Sequence, residues 1–309
     1  MPLSLASTGV ETSGSFSRRA LLGAAAGGAA AVAIAPATEA AARARGLLVP
    51  RQNIGIQLYA VRGLADADLP GLLAQLAAIG YSEVEPDGLR GRTPAELRAL
   101  LDANGLGAAG IHVPAARFRT ELGKVLDEAE QLGTPYVGVS QVTLPGDPNL
   151  TLRGYRRFAR EFNRWGAAAA DRGLRFYFHN HGWDLTVRRG RPLYDVLLDE
   201  TDPDLVFFEL YLYWMVNGFG RVRGRDPLRY LDGRHEQWRW PLFHVKDRSR
   251  SGDFADPGTG TIDFARIFRA LDNKHFHHFI VERDTIPDQA RTARVGFSFL
   301  RRLRARSAG

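Results

Sequence analysis

The chain shows its architecture most clearly in Phe176-Tyr177-Phe178-His179-Asn180-His181, an apolar run of strand length that ends in two histidines two residues apart. In an extended strand such residues share a face, so both imidazoles can point to one place. Two later apolar runs also end in polar, ligand-type side chains: Leu242-Phe243-His244-Val245-Lys246-Asp247 and Phe279-Ile280-Val281-Glu282-Arg283-Asp284. A barrel of parallel strands builds its active site in this way, from the carboxyl ends of several strands.

Apolar runs of strand length alternate with amphipathic helical stretches along the chain beyond residue 42, which is the pattern of repeated βα units and a parallel sheet. We count eight strands, Ile54–Tyr59, Ser82–Glu85, Ala108–Val113, Tyr136–Ser140, Leu174–His179, Leu205–Tyr211, Leu242–Lys246 and His278–Arg283, and eight helices near 66–79, 93–104, 117–132, 151–172, 191–200, 226–235, 262–273 and 287–304. The segment 43–309 also has the length of one such barrel, about 250 residues. The sequence therefore predicts an α/β fold, a single-domain (β/α)8 TIM barrel over residues 43–309.

Residues 1–42 have the composition of an export signal rather than of a folded domain. Arg18-Arg19 stands directly before a weakly apolar, Ala- and Gly-rich run from Leu21 to Ala35. A twin arginine before such a run directs folded proteins out of the cytoplasm. The run is too short for a stable membrane span. We therefore expect a twin-arginine signal peptide, a periplasmic or extracellular protein, and no membrane span after processing.

The composition limits the chemistry of the site and its partners. The chain has no cysteine, so a metal must bind through His, Asp and Glu. Its net charge is +7, and only three of its 41 basic residues are lysine. The arginines are spread over predicted helix surfaces and accompany no nucleic-acid motif, so we predict no nucleic-acid partner.

The predicted strand ends supply one candidate site. His179, His181, His244 and Glu282 are placed to surround one divalent cation, although each histidine taken alone is explained equally well by packing in the core. Imidazole with carboxylate favours Mn, Zn, Co or Fe over Ca or Mg, with Mg as a further option. Glu83 and Glu85 share a strand face, and we expect Glu85 to lie nearer the mouth. Further candidates are Glu85 for acid/base chemistry, Lys246 for holding an oxyanion, and His112, His181, Trp183 and Trp214 for binding substrate.

Short motifs are spread along residues 53–304: Ile54-Gly55-Ile56-Gln57-Leu58-Tyr59, Gly80-Tyr81-Ser82-Glu83-Val84-Glu85, Tyr177-Phe178-His179-Asn180-His181, Tyr213-Trp214, His244-Val245-Lys246-Asp247, Gly258-Thr259-Gly260-Thr261-Ile262-Asp263-Phe264 and Val281-Glu282-Arg283-Asp284. Together they resemble the xylose-isomerase-like TIM barrels of the sugar phosphate isomerase/epimerase superfamily. The resemblance implies a divalent metal held by His179, an Asp on the sixth strand, His244 and Glu282. It also implies proton transfer next to a carbonyl group that the metal polarises.

One residue departs from the family's pattern. Members usually read Glu-Leu-Asp-Leu-Tyr-Trp on the sixth strand, whereas this chain reads Glu209-Leu210-Tyr211-Leu212-Tyr213-Trp214. Tyr211 therefore takes the fourth metal position, and a phenol with a pKa near 10 is a poor ligand unless the metal lowers that pKa. Glu209 shares the inward face but lies roughly 6.6 Å deeper. We expect weak metal binding, which a carboxylate at position 211 would strengthen.

The resemblance predicts an isomerase or epimerase that acts on a small sugar or sugar derivative, with Glu282 as metal ligand and general base. A lyase that uses the same site on a keto-glycoside or keto-inositol is an alternative, since both reactions begin with the same proton removal. If Tyr211 abolishes metal binding, a non-catalytic sugar-binding barrel is the second alternative. A nucleolytic role like that of endonuclease IV is disfavoured, because that branch of the superfamily uses three metals and more ligands than this chain supplies.

Overall fold

The computed structural model describes residues 46–219, 226–231, 237–285 and 287–304, and the predicted signal peptide lies outside them. The strands of the described part are β1 (Ile54–Gln57), β2 (Glu83–Glu85), β3 (Gly107–Ala108), β4 (Ile111–His112), β5 (Tyr136–Val139), β6 (Arg175–His179), β7 (Val187–Arg188), β8 (Arg191–Pro192), β9 (Val206–Tyr211), β10 (Leu242–Val245), β11 (Asp247–Arg248), β12 (Phe254–Ala255) and β13 (His278–Val281). Nine of them form one parallel sheet in the order β3-β2-β1-β13-β10-β9-β6-β5-β4. The two pairs β7–β8 and β11–β12 are small antiparallel ribbons outside it.

The nearly closed sheet confirms the predicted barrel, but the third predicted strand is divided. β3 pairs with β2 and β4 pairs with β5, so consecutive pieces of chain form the two edges of the sheet. Between them, Gly110 faces the hydrogen bond from Tyr177 to Glu85, and a Cβ there would lie 2.9 Å from an oxygen of each residue. Only glycine lets the backbone pass so close to that pair.

Helices cover the outside of the barrel as the pattern predicted, with some changes of extent. They are α1 (Arg62–Ile79), α2 (Pro94–Ala103), α3 (Ala115–Thr120), α4 (Leu122–Leu132), α5 (Leu152–Ala170), α6 (Leu193–Glu200), α7 (Leu212–Phe219), α8 (Phe264–Arg269) and α9 (Gln289–Leu300). Among the described residues, no helix is both long and apolar enough to cross a membrane.

Three helix predictions need correction. The helix predicted over 117–132 is two helices, because the chain leaves helical geometry at Glu121. Of the helix predicted over 226–235, the described residues show only a 3₁₀ turn at Pro227–Tyr230. Helix α7 was not predicted; its first five residues, 212–216, are all apolar or aromatic and give no helical periodicity to recognise.

The barrel interior is layered because alternate residues of each strand point inward. On β9 the inward residues are, from floor to mouth, Phe207, Glu209 and Tyr211. Phe207 belongs to a small apolar cluster that closes the floor together with Ala109, Tyr136, Tyr177, Leu242 and Ile280. The next residues inward on the neighbouring strands are polar. The sheet register sets His179 opposite Glu209, and His244 opposite Tyr211.

Candidate metal centre and substrate cavity

Glu209 lies at the centre of the polar layer, fully buried among three histidines. Its Oε2 lies 2.9 Å from Nε2 of His112 and 2.8 Å from Nδ1 of His179, and its Oε1 lies 2.9 Å from Nε2 of His244. Burial alone would raise the pKa of Glu209, but His244 and the hydrogen bonds from the three rings hold it well below the usual value. Glu209 is therefore a hydrogen-bond acceptor for His112 and His179, and its other oxygen lies in ion-pair contact with His244.

These hydrogen bonds assign the ring tautomers. Nδ1 of His112 faces the amide nitrogen of Gln57 at 3.4 Å, so its Nε2 carries the proton given to Glu209. Nδ1–H of His179 donates to Glu209, which leaves its Nε2 as a lone-pair donor. Nε2–H of His244 donates to Oε2 of Glu85 at 2.6 Å and lies 2.9 Å from Oε1 of Glu209, so Nδ1 is the nitrogen that remains for Glu282 or for a cation. Metal-binding histidines are commonly oriented in this way by a carboxylate on the far ring nitrogen.

Nδ1 of His244 meets Oε2 of Glu282, which follows β13 directly. The two atoms are in contact without the angles of a hydrogen bond, and both are buried without any hydrogen-bond partner among the described residues. A divalent cation could replace the proton between these two atoms, because a deprotonated Nδ1 and a carboxylate oxygen are both electron-pair donors. Nδ1 of His244 and Oε2 of Glu282, atoms of two of the ligand residues predicted from the sequence, thus lie together at the ends of adjacent strands.

The charge of the site also fits a dication. Three carboxylates, Glu85, Glu209 and Glu282, surround His244, and each is at most 6% exposed. Burial would lower the pKa of His244, but these carboxylates raise it well above its usual value. The cluster therefore attracts positive charge strongly. One donor atom each from His112, His179, Glu209 and His244 lie within 4.8 Å of one another, and this buried group could hold a metal ion.

A cavity of about 640 Å³ opens above the polar layer. It is lined by His112 of β4, His179 at the end of β6, His181 in the turn after β6, and Glu282 directly after β13. Its other polar lining residues are Tyr59, Asp87, Arg119, Ser140, Gln141, Thr143, Asp147 and Asp284. The predicted residues His112, His179, His181 and Glu282 thus share one cavity at the carboxyl ends of the strands.

Glu85 and Lys246 lie outside that cavity's lining. Glu85 is fully buried behind His244 and accepts hydrogen bonds from Gln57 at 2.8 Å and Tyr177 at 2.6 Å. Glu83, the other candidate on β2, lies towards the floor and binds His278 at 2.9 Å. The Lys246 ammonium is enclosed and contacts Asp284. Glu282 is therefore better placed than Glu85 or Lys246 to contact a substrate in the cavity.

Tyr211 and the two tryptophans also lie beside the cavity rather than in its lining. The Tyr211 hydroxyl donates to Oδ2 of Asp284 at 3.2 Å, and burial, followed by the charges of Glu282 and Asp284, raises its pKa well above 10. Trp183 stacks on His181 with ring centroids 4.4 Å apart. Trp214 packs edge-on against Tyr211 at 6.3 Å. A neutral phenol that donates to a carboxylate is a poor metal ligand.

Buried hydrogen bonds fix the loops around the cavity. The Asp247 carboxylate accepts from the backbone N–H groups of Gly258, Gly260 and Ile262, as expected of a residue that holds this loop. Asp184 accepts from the backbone N–H of His181 at 2.6 Å and from the Tyr155 hydroxyl, and so holds the turn after β6. Burial lowers the pKa of His181 to about 3, so that ring is neutral.

Three residues of this site were absent from the sequence-based set. Glu209 was noted only as a deeper residue, although strand alternation places it on the inward face with Tyr211. Asp284 follows Glu282 by two residues, a spacing that could have marked it as sharing the same face. Asp184 gave no signal, because its partners Tyr155 and His181 are distant from it or bind through backbone.

Comparison with known proteins gives concordant results. A family model described as xylose isomerase-like TIM barrel matches residues 73–303. An inosose dehydratase from Clostridium perfringens is 28% identical over 152 residues, 43% of this chain and 48% of that protein, so the match spans about half of its length. An inosose dehydratase from Geobacillus kaustophilus is 26% identical over 255 residues, 69% of this chain and 82% of that protein. The crystal structure of a sugar phosphate isomerase/epimerase from Parabacteroides distasonis shares the fold, with a TM-score of 0.66 and 22% identity over 81% of this chain and 93% of its own.

Proposed function

This chain belongs to the xylose isomerase-like TIM barrel family, and on that premise we propose that it is a divalent-metal-dependent enzyme that removes a proton next to the carbonyl of an uncharged sugar or keto-polyol. The observation that carries the proposal is the contact of His244 Nδ1 with Glu282 Oε2 beneath a polar cavity. His179, His244 and Glu282 would hold the cation, here Mn, Zn, Co or Fe. When bound, it supplies positive charge that stabilises negative charge developing on the carbonyl oxygen.

Glu282 is the general base in this proposal. Its carboxylate borders the cavity and is 6% exposed, so a substrate there excludes most of the remaining water. The C–H bond breaks, the proton passes to a Glu282 oxygen, and the electron pair moves towards the carbonyl. His181 donates or accepts a hydrogen bond at a substrate hydroxyl, and the ring of His112, whose nitrogens face Glu209 and Gln57, forms part of the cavity wall. Glu209 and Glu85 orient the rings and do not meet the substrate.

An uncharged substrate suits the lining of the cavity. The charged residues among the described lining are one arginine and the four carboxylates of Asp87, Asp147, Glu282 and Asp284. Arg119 is already bound to Glu161 through two nitrogens, at 2.8 and 3.2 Å. A phosphate group would meet more negative than positive charge there, so sugar phosphates are disfavoured.

We propose β-elimination as the overall reaction. After proton removal, the electron pair of the former C–H bond forms the new C=C bond between the α- and β-carbons. The bond between the β-carbon and its oxygen substituent breaks, its electron pair leaves with the oxygen, and that oxygen takes the proton from Glu282 to give water or an alcohol. Both matched curated relatives described above bear the name inosose dehydratase, which supports a reaction of this class. The cavity also holds Glu282 and Asp284 on one side, where a base and a hydroxyl-binding group can act together.

Isomerisation or epimerisation, which the sequence resemblance implied, is the second candidate. Epimerisation needs groups on two faces of one carbon, and the cavity supplies His112 and His181 from parts of the barrel mouth other than the end of β13, where Glu282 lies. The two outcomes differ in mass, because elimination releases water or an alcohol and leaves an unsaturated ketone, whereas isomerisation conserves mass.

The test is a screen of inososes, keto-glycosides, aldoses and ketoses with protein loaded with Mn²⁺, followed by mass spectrometry and absorbance of an unsaturated ketone. We expect turnover that a chelator abolishes and that Glu282→Gln reduces by at least about a hundredfold. Sugar binding without dication binding or turnover would instead indicate the non-catalytic barrel. We also propose export by the twin-arginine pathway, on the sequence of residues 1–42 alone.

A further inference from the structure

Tyr211 and Lys246 both contact one oxygen of Asp284. The Tyr211 hydroxyl donates to Oδ2 at 3.2 Å, and the Lys246 ammonium contacts the same atom. Both side chains are fully buried, and neither lines the cavity. Asp284 is the lining residue that both of them contact.

The ammonium of Lys246 is held where it is by aromatic rings. Its nitrogen lies 3.5 to 4.8 Å from the ring centroids of Tyr211, Tyr213, Trp214 and Phe254. Such contacts attract a cation and are strongest when the cation is removed from water. The cage leaves Lys246 directed at Asp284 and keeps it from turning into the cavity. Tyr211 thus serves twice, as a wall of the cage and as a second donor to the same carboxylate.

Asp284 itself is presented to the cavity. Its side chain is 26% exposed, and it is one of the lining residues. While Oδ2 receives Tyr211 and Lys246, Oδ1 makes no hydrogen bond to any residue in the described part of the chain. One oxygen is anchored and the other is offered in a fixed direction.

We propose that Asp284 binds a hydroxyl group of the substrate and that Tyr211 and Lys246 are its positioning residues. The proposal rests on the proposed function, since it assumes a hydroxyl-bearing substrate in this cavity. A carboxylate already fixed at one oxygen loses little further freedom when the other accepts a hydroxyl proton, so the bond is stronger than one to a mobile side chain. Tyr211 then contributes to substrate binding, at a position where the family pattern has an Asp metal ligand.

An Asp at position 211 could not replace it. The shorter side chain would not reach Asp284, and its charge would repel that carboxylate rather than donate to it. A Tyr in place of Asp at position 211 thus removes an anionic metal ligand and supplies a hydrogen bond that orients Asp284.

The test measures binding of Mn²⁺ and of neutral polyols separately, by calorimetry on the full-length protein. The polyol probes are myo-inositol, D-glucose and xylitol, added to Mn²⁺-loaded protein. We expect Tyr211→Phe to raise the polyol Kd about three- to tenfold and Asp284→Asn about ten- to a hundredfold, the range for hydrogen bonds to a charged group. Mn²⁺ affinity should stay within about twofold in Tyr211→Phe. The matched control is Tyr194→Phe, which removes another buried tyrosine hydroxyl, bonded to Trp240 away from the cavity, and should change neither Kd.

The double variant isolates the positioning role. Because Tyr211 acts through Asp284, the pair Tyr211→Phe and Asp284→Asn should weaken polyol binding no more than Asp284→Asn alone. If the increases in polyol Kd of the two single variants multiply in the double variant, the proposal is overturned. A tenfold loss of Mn²⁺ affinity in Tyr211→Phe would overturn it as well, because Tyr211 would then be a metal ligand. Polyol binding that is normal in both variants contradicts this proposal only. A wild-type protein that binds none of the probes contradicts the proposed function as well.

Discussion

Replacing Glu209 by glutamine tests whether this carboxylate orients the metal-binding histidines. Glutamine keeps the size of the side chain but has one oxygen and one NH2 group where glutamate has two acceptors. The oxygen can serve His112 and His179, which share Oε2, whereas the NH2 group would then face the Nε2–H of His244. His244 keeps Glu85 as its acceptor at 2.6 Å, but its Nε2–H then faces an NH2 group in place of a carboxylate oxygen.

The expected size follows from these contacts. The buried glutamine NH2 group has no acceptor there, which costs about 1–3 kcal/mol, and the loss of charge weakens the hydrogen bonds from His112 and His179, so we expect the free energy of unfolding to fall by about 2–4 kcal/mol. Loss of an outer-shell partner typically lowers metal affinity 10- to 100-fold, so Mn²⁺ or Zn²⁺ should bind Glu209→Gln more weakly by about that factor. Calorimetric metal titration and urea unfolding measure the two effects.

The effect on stability should persist from about pH 5 to 8. The pKa of Glu209 lies well below its ordinary value of 4.5, so its charge stabilises the folded state at any pH above that value. The contribution is lost only as the pH falls through the lower, folded-state pKa. The difference between wild type and Glu209→Gln should therefore narrow only in strong acid.

Glu83→Gln is the matched control. Glu83 is also buried, at 6% exposure, and also binds a histidine, His278, but it lies towards the opposite end of the barrel. We expect Glu83→Gln to lower the free energy of unfolding without lowering the affinity for metal. The reasoning is refuted if Glu209→Gln binds metal as tightly as the wild type, or if Glu83→Gln loses as much affinity.

Three further predictions concern the fold and the export signal. Burial raises the pKa of Asp184 from 3.8 to about 7, so the folded state favours its neutral form and stability should decline as pH rises through that interval; Asp184→Asn should remove this decline in urea unfolding between about pH 4.5 and 7.5, and an unchanged slope would contradict it. Gly110→Ala places a Cβ 2.9 Å from two oxygens and should lower the free energy of unfolding by about 1–3 kcal/mol. Gly123→Ala, at a helix position with open space around it, should raise the free energy of unfolding by about 0.5–1 kcal/mol. Equal effects of the two substitutions would argue against close packing at Gly110. Replacing Arg18 and Arg19 by lysine should retain the precursor in the cytoplasm, and export that continues unchanged would show that the pair is incidental.

Much of the site was accessible from strand alternation alone. His179, His244 and Glu282 were predicted to meet because each ends an apolar run, and parallel strands of one barrel bring such ends to one mouth. Lys246 was assigned to the same mouth by the same reasoning, yet its ammonium lies in a cage of rings. The alternation of side chains along a strand shows which face of the sheet a side chain lies on, but not which residues will surround the end of that side chain.

The sequence by itself determined the barrel, its alternation of strands and helices, and the end of the barrel that carries the polar residues, because hydrophobic periodicity and strand alternation are local properties. It also determined that any metal must bind through nitrogen and oxygen, since the chain has no cysteine. Only the tertiary structure decided that Glu209 orients three histidines and that Tyr211 donates to Asp284. These contacts join residues 30 to 97 positions apart in the chain, and their partners are set by sheet register and closure, which no local pattern encodes.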